Sequence, residues 1–517
     1  MNRKEFLKRI EADEIWDIVI IGGGSTGLGS ALDAASRGYN TLLLEKFDFG
    51  KGTSSKSTKL VHGGVRYLAQ GNIKLVVEAL KERGRLLKNA PHITSVQSFV
   101  LPVYSYWDKW FYGLGLKMYE WLSGKWSLGK TTIHSKNETL KLLPSINSNK
   151  LKGSIQYYDG QFDDSRLCID IALTAVKHAA TVLNYFEVQE FRKEENKIVA
   201  LTAINSFSQK KYTIRSKVFI NATGVFSDEL MKQDDVNHEN VITASQGIHL
   251  VIDKKYFAGN NALLIPKTTD GRVLFAVPWH NKVIVGTTDT EVKKILDEPK
   301  ATNDEIEFVI ENFNQYAKTP ITRNQVESVF AGLRPLVSSA SKKKSAFISR
   351  EHSIFISSSG LVTITGGKWT TYRKMAKDAV DNAIFISGLE RRECVTKNLQ
   401  IAEWNLPIDT SHHLHIYGKN KDEIEKIASE KNIYKEKIHP NFPYINAEII
   451  WFVRNEMALT LEDVLARRTR MLFLNAITTL LIAEKVAKLM AVELMQDENW
   501  VNEQLQKFNT TAQSYLL

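Results

Sequence analysis

Residues 17–21, "DIVII", are apolar without interruption after their first position, the pattern of a parallel strand covered on both faces. Glycines follow at 22, 24 and 27, and the stretch from Ser25 to Ser36 then takes up a helical period. Thr41 to Leu44 is a second short apolar run. Strand, glycine turn, helix and strand in that order predict a βαβ unit at the start of the chain. Two later stretches are shaped like returns to the same sheet. "VFINATGVFSD" (218–228) reads as a buried strand leaving through Thr223–Gly224, and "GLVTITGGKWTTYRKMAKDAVDNA" (360–383) as a strand, a Gly366–Gly367 turn and an amphipathic helix. After Gly388 helical periodicity and acid–base pairs take over, which predicts a helical unit over 389–517.

The glycine spacing brings in chemistry. Gly22, Gly24 and Gly27 stand as G-x-G-x-x-G: the first permits a tight turn, the second lets a pyrophosphate approach the backbone, and the third lets helix and strand pack closely. The helix then aims its N-terminal N–H groups at that pyrophosphate. Glu45, at the end of the second strand, is placed to accept from ribose hydroxyls. An ADP-containing dinucleotide fits this arrangement, and the stretch alone does not separate NAD from FAD.

Composition narrows the class. A chain of 517 residues allows two or three domains, and 68 Lys+Arg against 58 Asp+Glu give a net charge of +10. A basic surface suits an anionic substrate, anionic lipid or nucleic acid, but no helix-turn-helix, RNA-recognition or zinc-finger spacing is present, so nucleic acid is set aside. Cys168 and Cys394 lie far apart and read as structural thiols. "MNRKEFLKRIEADEIWD" alternates charges around no apolar core and does not read as a signal peptide. Met471–Ala483, the most apolar long stretch, is too short to span a bilayer. The expectation is a cytoplasmic protein, peripheral on the inner face of the cytoplasmic membrane. "SKKKSA" (341–346) reads as a solvated loop.

The dinucleotide stretch, "GTSSKSTKLVHGGVRYL" (52–68), "FAGLRPLV", "ISREHSI", "GGKWTTYRK" and "LTLEDVLARRTR" together resemble the FAD-dependent, quinone-linked glycerol-3-phosphate dehydrogenases over nearly the whole chain. The resemblance implies an α/β fold. An FAD-binding Rossmann-like domain of the glutathione-reductase/D-amino-acid-oxidase type (about 15–95, 150–245 and 345–388) would interleave with an antiparallel-sheet substrate domain (about 96–149 and 246–344). An all-α domain would follow. It also implies FAD as cofactor, oxidation of sn-glycerol 3-phosphate to dihydroxyacetone phosphate, and a membrane quinone as acceptor; a homodimer is compatible with it, and no metal is called for. The cofactor would be held by Gly22, Gly24, Thr26, Gly27, Glu45 and Lys46, and by Thr53, Ser54, Ser55, Thr58, Lys59, Leu60, His62, Gly63 and Gly64 of the loop. Val188, Ala222, Gly224, Gly366, Gly367, Lys368 and Thr370 would complete its site. Departures from the family pattern are Val225–Phe226, where Pro-Trp is common, and Gln246, where lysine is common. A glycerol-phosphate oxidase using oxygen and a flavin-dependent amino-acid or amine oxidase are the neighbouring alternatives.

The residues support the phosphate. A phosphomonoester is close to dianionic and offers three acceptor oxygens, so its site wants several cations, some with forked geometry. Arg334, Arg350, Arg66 and Lys368 lie inside the quoted motifs, whereas a carboxylate substrate needs one bidentate arginine. Tyr67 is placed to close the pocket. His249 in "QGIHLVI" is the candidate base, since imidazole titrates near the working pH; Arg334 and Lys368 complete the catalytic set, Lys368 stabilising negative charge near the cofactor. "YSYWDKWFYGLGLKMYEWLSGKW" (104–126), rich in Trp and Tyr with Lys109, Lys117 and Lys125 among them, is the candidate contact with an anionic lipid surface. Gly113 and Gly115 predict two short helical pieces there.

Overall fold

A computed structural model describes residues 1–69, 71–337 and 352–517. Two sheets and a helical unit make up the fold. In the first sheet the parallel strands lie in the spatial order Leu361–Gly366, Lys211–Asn221, Ile15–Ile21, Thr41–Glu45, Thr181–Asn184, with His352–Ile356 antiparallel at one edge. The hairpin Phe186–Glu194/Lys197–Asn205 pairs onto the outer end of Lys211–Asn221. Ile18 to Ile21 are fully or almost fully buried, which is why that run carries no polar alternation. The helices Ser25–Ser36, Asp164–Lys177 and Tyr372–Ser387 pack together as a layer against this sheet.

The second sheet is built round Ile242–Asp253. Val326–Val337 pairs with it on one side, and Lys282–Gly286 and Thr290–Glu291 on the other. Leu274–Trp279, Ala262–Ile265, Thr94–Val103 and Gly153–Phe162 continue outward. Pairing is antiparallel except between Ala262–Ile265 and Thr94–Val103. Gly153–Phe162 and Leu60–Val61, expected in the nucleotide segments, belong to this sheet instead. Period and composition do not reveal a strand's partner, so a boundary drawn between sequence blocks misplaces strands that cross between sheets.

The expected break in residues 104–126 does not occur: Tyr106–Ser123 is one helix of 18 residues. Each glycine costs about 1 kcal/mol of helix propensity. Gly113 lies on the inner face, where an added Cβ would already meet Ile133 and Ile155, so packing of that face offsets the cost. "SKKKSA" lies outside the described residues. Among the described residues no helix is long and apolar enough to cross a membrane.

The helical unit (Asn420–Glu430, Asn446–Asn455, Ala476–Leu494 and Glu498–Ala512) shares a core with Val251, Trp279, Ile284 and Phe330 of the second sheet. It is tied to the first sheet by buried charge. Asp48 accepts from Arg467 Nε at 2.6 Å and from Arg468 Nη1 and Nη2 at 2.7 and 3.1 Å. Glu456 pairs with Arg468 and with Arg166 of Asp164–Lys177. Arg470 reaches Asp164 and the carbonyl of Ser55. These side chains are almost wholly shielded from solvent. A π-turn over Asp463–Arg468 lets Arg467 and Arg468 both face inward. Burial raises the neighbouring Glu462 carboxyl, but Arg467 and Lys51 outweigh it and hold it at about 2.

Removing one partner of such a pair leaves the other charged and dry, which costs about 3–5 kcal/mol, whereas a surface pair is worth about 1 kcal/mol or less. Arg468→Ala should therefore lower unfolding free energy by about 3–5 kcal/mol in a denaturant titration. Arg454→Ala, whose partners Glu430 and Glu493 are solvent-accessible, should change it by about 1 kcal/mol or less. Equal effects of the two would show that the junction does not hold the units together.

Candidate active site

The nucleotide end of the site follows from the first βαβ unit. An added Cβ on Gly27 would lie 1.8 Å from the Gly22 carbonyl oxygen, so only glycine lets the helix Ser25–Ser36 start so close to the strand. Gly22 itself sits at φ +107°, against the Ala222 carbonyl. Beyond Gly24 a Cβ would meet only the Ser54 hydroxyl, at 3.2 Å, leaving the side where pyrophosphate must approach open. Glu45 Oε2 accepts from the Gly23 N–H at 2.5 Å and Oε1 from the Phe47 N–H at 2.8 Å. Burial raises its carboxyl, and those two donors oppose the shift; each oxygen keeps a further lone pair for a ribose hydroxyl.

From this turn a cleft runs to the Gly366–Lys368 turn. Of the expected cofactor residues it is lined by Gly22, Gly24, Thr26, Glu45, Lys46, Thr53, Ser54, Val188, Ala222, Gly224, Gly366, Gly367 and Lys368, with Thr223, Val225, Phe226, Pro335 and Trp369 besides. These residues fit a dinucleotide with a planar ring system beyond it. Gly27, Ser55, Thr58, Lys59, Leu60, His62, Gly63, Gly64 and Thr370 are not part of that lining. Lys59 is wholly buried, with Nζ 2.6 Å from Asp164 and 2.7 Å from the Ser55 carbonyl, and burial pulls it down to about 7. Gln246, at a departure from the family pattern, faces away and donates to Glu305 and the Lys300 carbonyl.

The loop 52–68 gathers the remaining motifs. Trp369 Nε1 donates to the Ser54 carbonyl at 2.8 Å, and the His62 N–H donates to Thr370 Oγ1 at 3.1 Å, which stitches the loop to "GGKWTT". Thr53 Oγ1 donates to the Leu333 carbonyl at 2.5 Å, beside Arg334. Thr58 Oγ1 lies 2.9 Å from His249 Nε2. The Lys368 ammonium stands 3.8 Å from the centre of the Tyr67 ring, a cation–π contact. Arg350 lies outside the described residues; Arg66 falls in the helix Val65–Ala69, and its side chain is likewise outside them.

Arg334 and His249 come from paired strands, in register Ser245↔Arg334 and His249↔Phe330. Glycines on the neighbouring strands make their room: a Cβ on Gly247 would strike Arg334 Nη2 at 2.2 Å, and one on Gly286 would strike His249 Cδ2 at 2.4 Å. Neither glycine has a positive φ, so the missing side chain is the reason for each. Arg334 donates to Thr287 Oγ1 at 3.0 Å and the Thr288 carbonyl at 3.1 Å, with Asp289 at 3.7 Å. His249 stacks on Phe330, ring centres 4.8 Å apart. Burial first, then the charges of Lys59 and Arg334, lower its pKa well below the usual imidazole value. The expected titration near the working pH is thereby corrected: the ring is neutral there. Sequence reasoning passed over Asp164, Trp369 and Tyr119, each of which holds this loop; Asp164 lies in no quoted motif, and the stretches containing Trp369 and Tyr119 do not show that these side chains reach the loop.

Comparison with known proteins agrees with this architecture. The FAD dependent oxidoreductase family model matches residues 17–373, and the model for the C-terminal domain of alpha-glycerophosphate oxidase matches 361–501. A probable mitochondrial glycerol-3-phosphate dehydrogenase of Caenorhabditis elegans is 38% identical, covering 98% of this chain and 75% of its own. The human mitochondrial glycerol-3-phosphate dehydrogenase is 36% identical over 100% of this chain and 75% of its own. The crystal structure of the Bacillus halodurans glycerol-3-phosphate dehydrogenase complexed with FAD superposes with a TM-score of 0.82 at 29% identity, covering 99% of this chain and 97% of that one. With its nucleotide cleft, paired sheets and helical unit, the chain belongs to the FAD-dependent glycerol-3-phosphate dehydrogenase family, and its cofactor is FAD.

Proposed function

We propose that the protein oxidises sn-glycerol 3-phosphate to dihydroxyacetone phosphate, works peripherally on the cytoplasmic face of a membrane, and passes its electrons to a quinone dissolved there. The observation that carries the substrate is that one loop beside the FAD cleft touches Leu333, next to Arg334, through Thr53, His249 through Thr58, and Lys368 through Tyr67. Bound FAD supplies the hydride acceptor for C2. Arg334, oriented by Thr287, Thr288 and Asp289, presents a planar fork to phosphate oxygens, and Lys368 adds a point charge. Arg66 and Arg350 assist in this reading, and Tyr67 closes the pocket. His249 takes the C2 hydroxyl proton. Its Nε2 lies 2.9 Å from Thr58 Oγ1, and its Nδ1 meets no hydrogen-bond partner among the described residues. The membrane and quinone assignments rest on the exposed aromatic face of Tyr106–Ser123 and on the basic charge around it.

Two outcomes test the roles. Arg334→Ala should lose kcat/KM for glycerol 3-phosphate by about a hundredfold or more, the scale of a charge-assisted hydrogen bond worth about 3 kcal/mol, and Arg334→Lys should restore only part. If Arg334→Ala still discriminates glycerol 3-phosphate from glycerol as wild type does, the phosphate role is wrong. For His249 the lowered pKa sets the sign: the neutral base persists as pH falls and is lost only well below about 6.5, the ordinary imidazole value. Single-turnover cofactor reduction should thus stay flat through that value, and His249→Asn should be slow at every pH. An unchanged rate in His249→Asn returns the ring to a structural role.

A further inference from the structure

The helix Tyr106–Ser123 has two faces with different business. Trp107, Trp110, Phe111, Leu114, Met118 and Trp121 recur at helical spacing along one stripe and are exposed, the three tryptophans to 77–79%. An apolar stripe of this size on a water-facing helix marks a contact surface. Its charge setting says which kind. Residues 104–152 carry eight lysines against Asp108, Glu120 and Glu138, half of the chain's net charge of +10. Trp and Tyr among lysines match the headgroup boundary of an anionic bilayer.

The opposite face holds the substrate loop. Tyr119 is 2% exposed. Its hydroxyl accepts the Gly63 N–H at 2.7 Å and donates to Asp159, 2.9 Å from either oxygen. Asp159 is fixed by Arg83, which also donates to the Trp126 carbonyl just beyond the helix end. Gly64 follows Gly63 at φ +84°, and a Cβ there would lie 2.5 Å from the Tyr67 ring and 3.3 Å from Lys368 Nζ. Two successive glycines leave the backbone free unless something fixes it, and Tyr119 does so from the helix.

We propose that this helix couples lipid docking to substrate affinity. The bilayer holds its tryptophan face, and Tyr119, on its other face, then steadies the Gly63–Gly64 turn under Tyr67 and Lys368. This rests on the reading of the protein as a peripheral membrane enzyme. Tyr119 is a positioning residue in it: it acts through the glycine turn and touches neither substrate nor FAD. Lipid that favours the ordered turn must lower KM for glycerol 3-phosphate more than it changes kcat, because the turn shapes the binding pocket.

The test uses holoenzyme, a soluble dye as acceptor, and vesicles of phosphatidylcholine with or without phosphatidylglycerol, flotation being read separately from kinetics. Wild type should float with anionic vesicles, and its KM should fall by about fivefold, the lower edge of ordinary coupling energies. Tyr119→Phe should float equally while its KM no longer responds to vesicles. Trp110→Ala with Trp121→Ala, on the surface, should neither float nor respond, which keeps the test decisive if Tyr119→Phe folds poorly. Wild type that floats with an unchanged KM overturns the coupling and leaves docking standing. A Tyr119→Phe enzyme with the full vesicle response overturns the role of Tyr119. Failure of wild type to float overturns docking and the coupling with it.

Discussion

The buried charge junction between Asp48, Glu456 and the arginines 467, 468 and 470 is the constraint on which the rest of the structure depends. Charges in a dry interior are tolerable only when each has its partner and its geometry, so the helical unit has one seating on the flavin region. That seating reaches the site. Asp48 lies at the start of the glycine-rich loop, and Arg470 and Lys59 share Asp164 at its middle. Thr58, the residue just before Lys59, meets His249. The C-terminal unit therefore does more than enlarge the core: Arg470 and Lys59 share Asp164 beside the loop that lines the cofactor cleft and carries the contacts to the proposed base and the proposed phosphate cations. Two other cations, Lys59 and Arg334, add to burial in lowering the pKa of His249, since both oppose a second proton on the ring.

Much of this was legible in the sequence where the signal was local. The apolar run, three glycines and helix of residues 17–36 describe their own geometry, because each step depends on neighbours a few positions away. The helical character after residue 388 was visible for the same reason. What was hidden depends on partners hundreds of positions apart. Nothing near Asp48 points to Arg468, and nothing near Gly247 shows that its missing side chain makes room for Arg334 across a strand pair. The strand Gly153–Phe162 went to the second sheet although its composition fits either, and Gly113 did not break its helix because it faces the packed side. The direction of the His249 shift was beyond sequence as well, being set by burial and by two cations from other segments.

In the proposed function the site divides its labour by distance from the substrate. Arg334 and Lys368 supply charge, Thr287, Thr288 and Tyr67 aim it, and the glycines at 247 and 286 keep space for the aimed groups. A carboxylate substrate would leave part of this positive charge without a counterpart in a partly shielded pocket, which is costly; a dianionic phosphate would engage it, which supports the proposed substrate. The fold alone does not make that choice, since related frames serve many chemistries.

The most direct measurement is the flavin absorbance of purified protein mixed with candidate substrates in the absence of air. The account predicts that sn-glycerol 3-phosphate bleaches the oxidised flavin band, while glycerol and free amino acids at the same concentration leave it unchanged. Bleaching by an amino acid, with glycerol 3-phosphate inert, would contradict it.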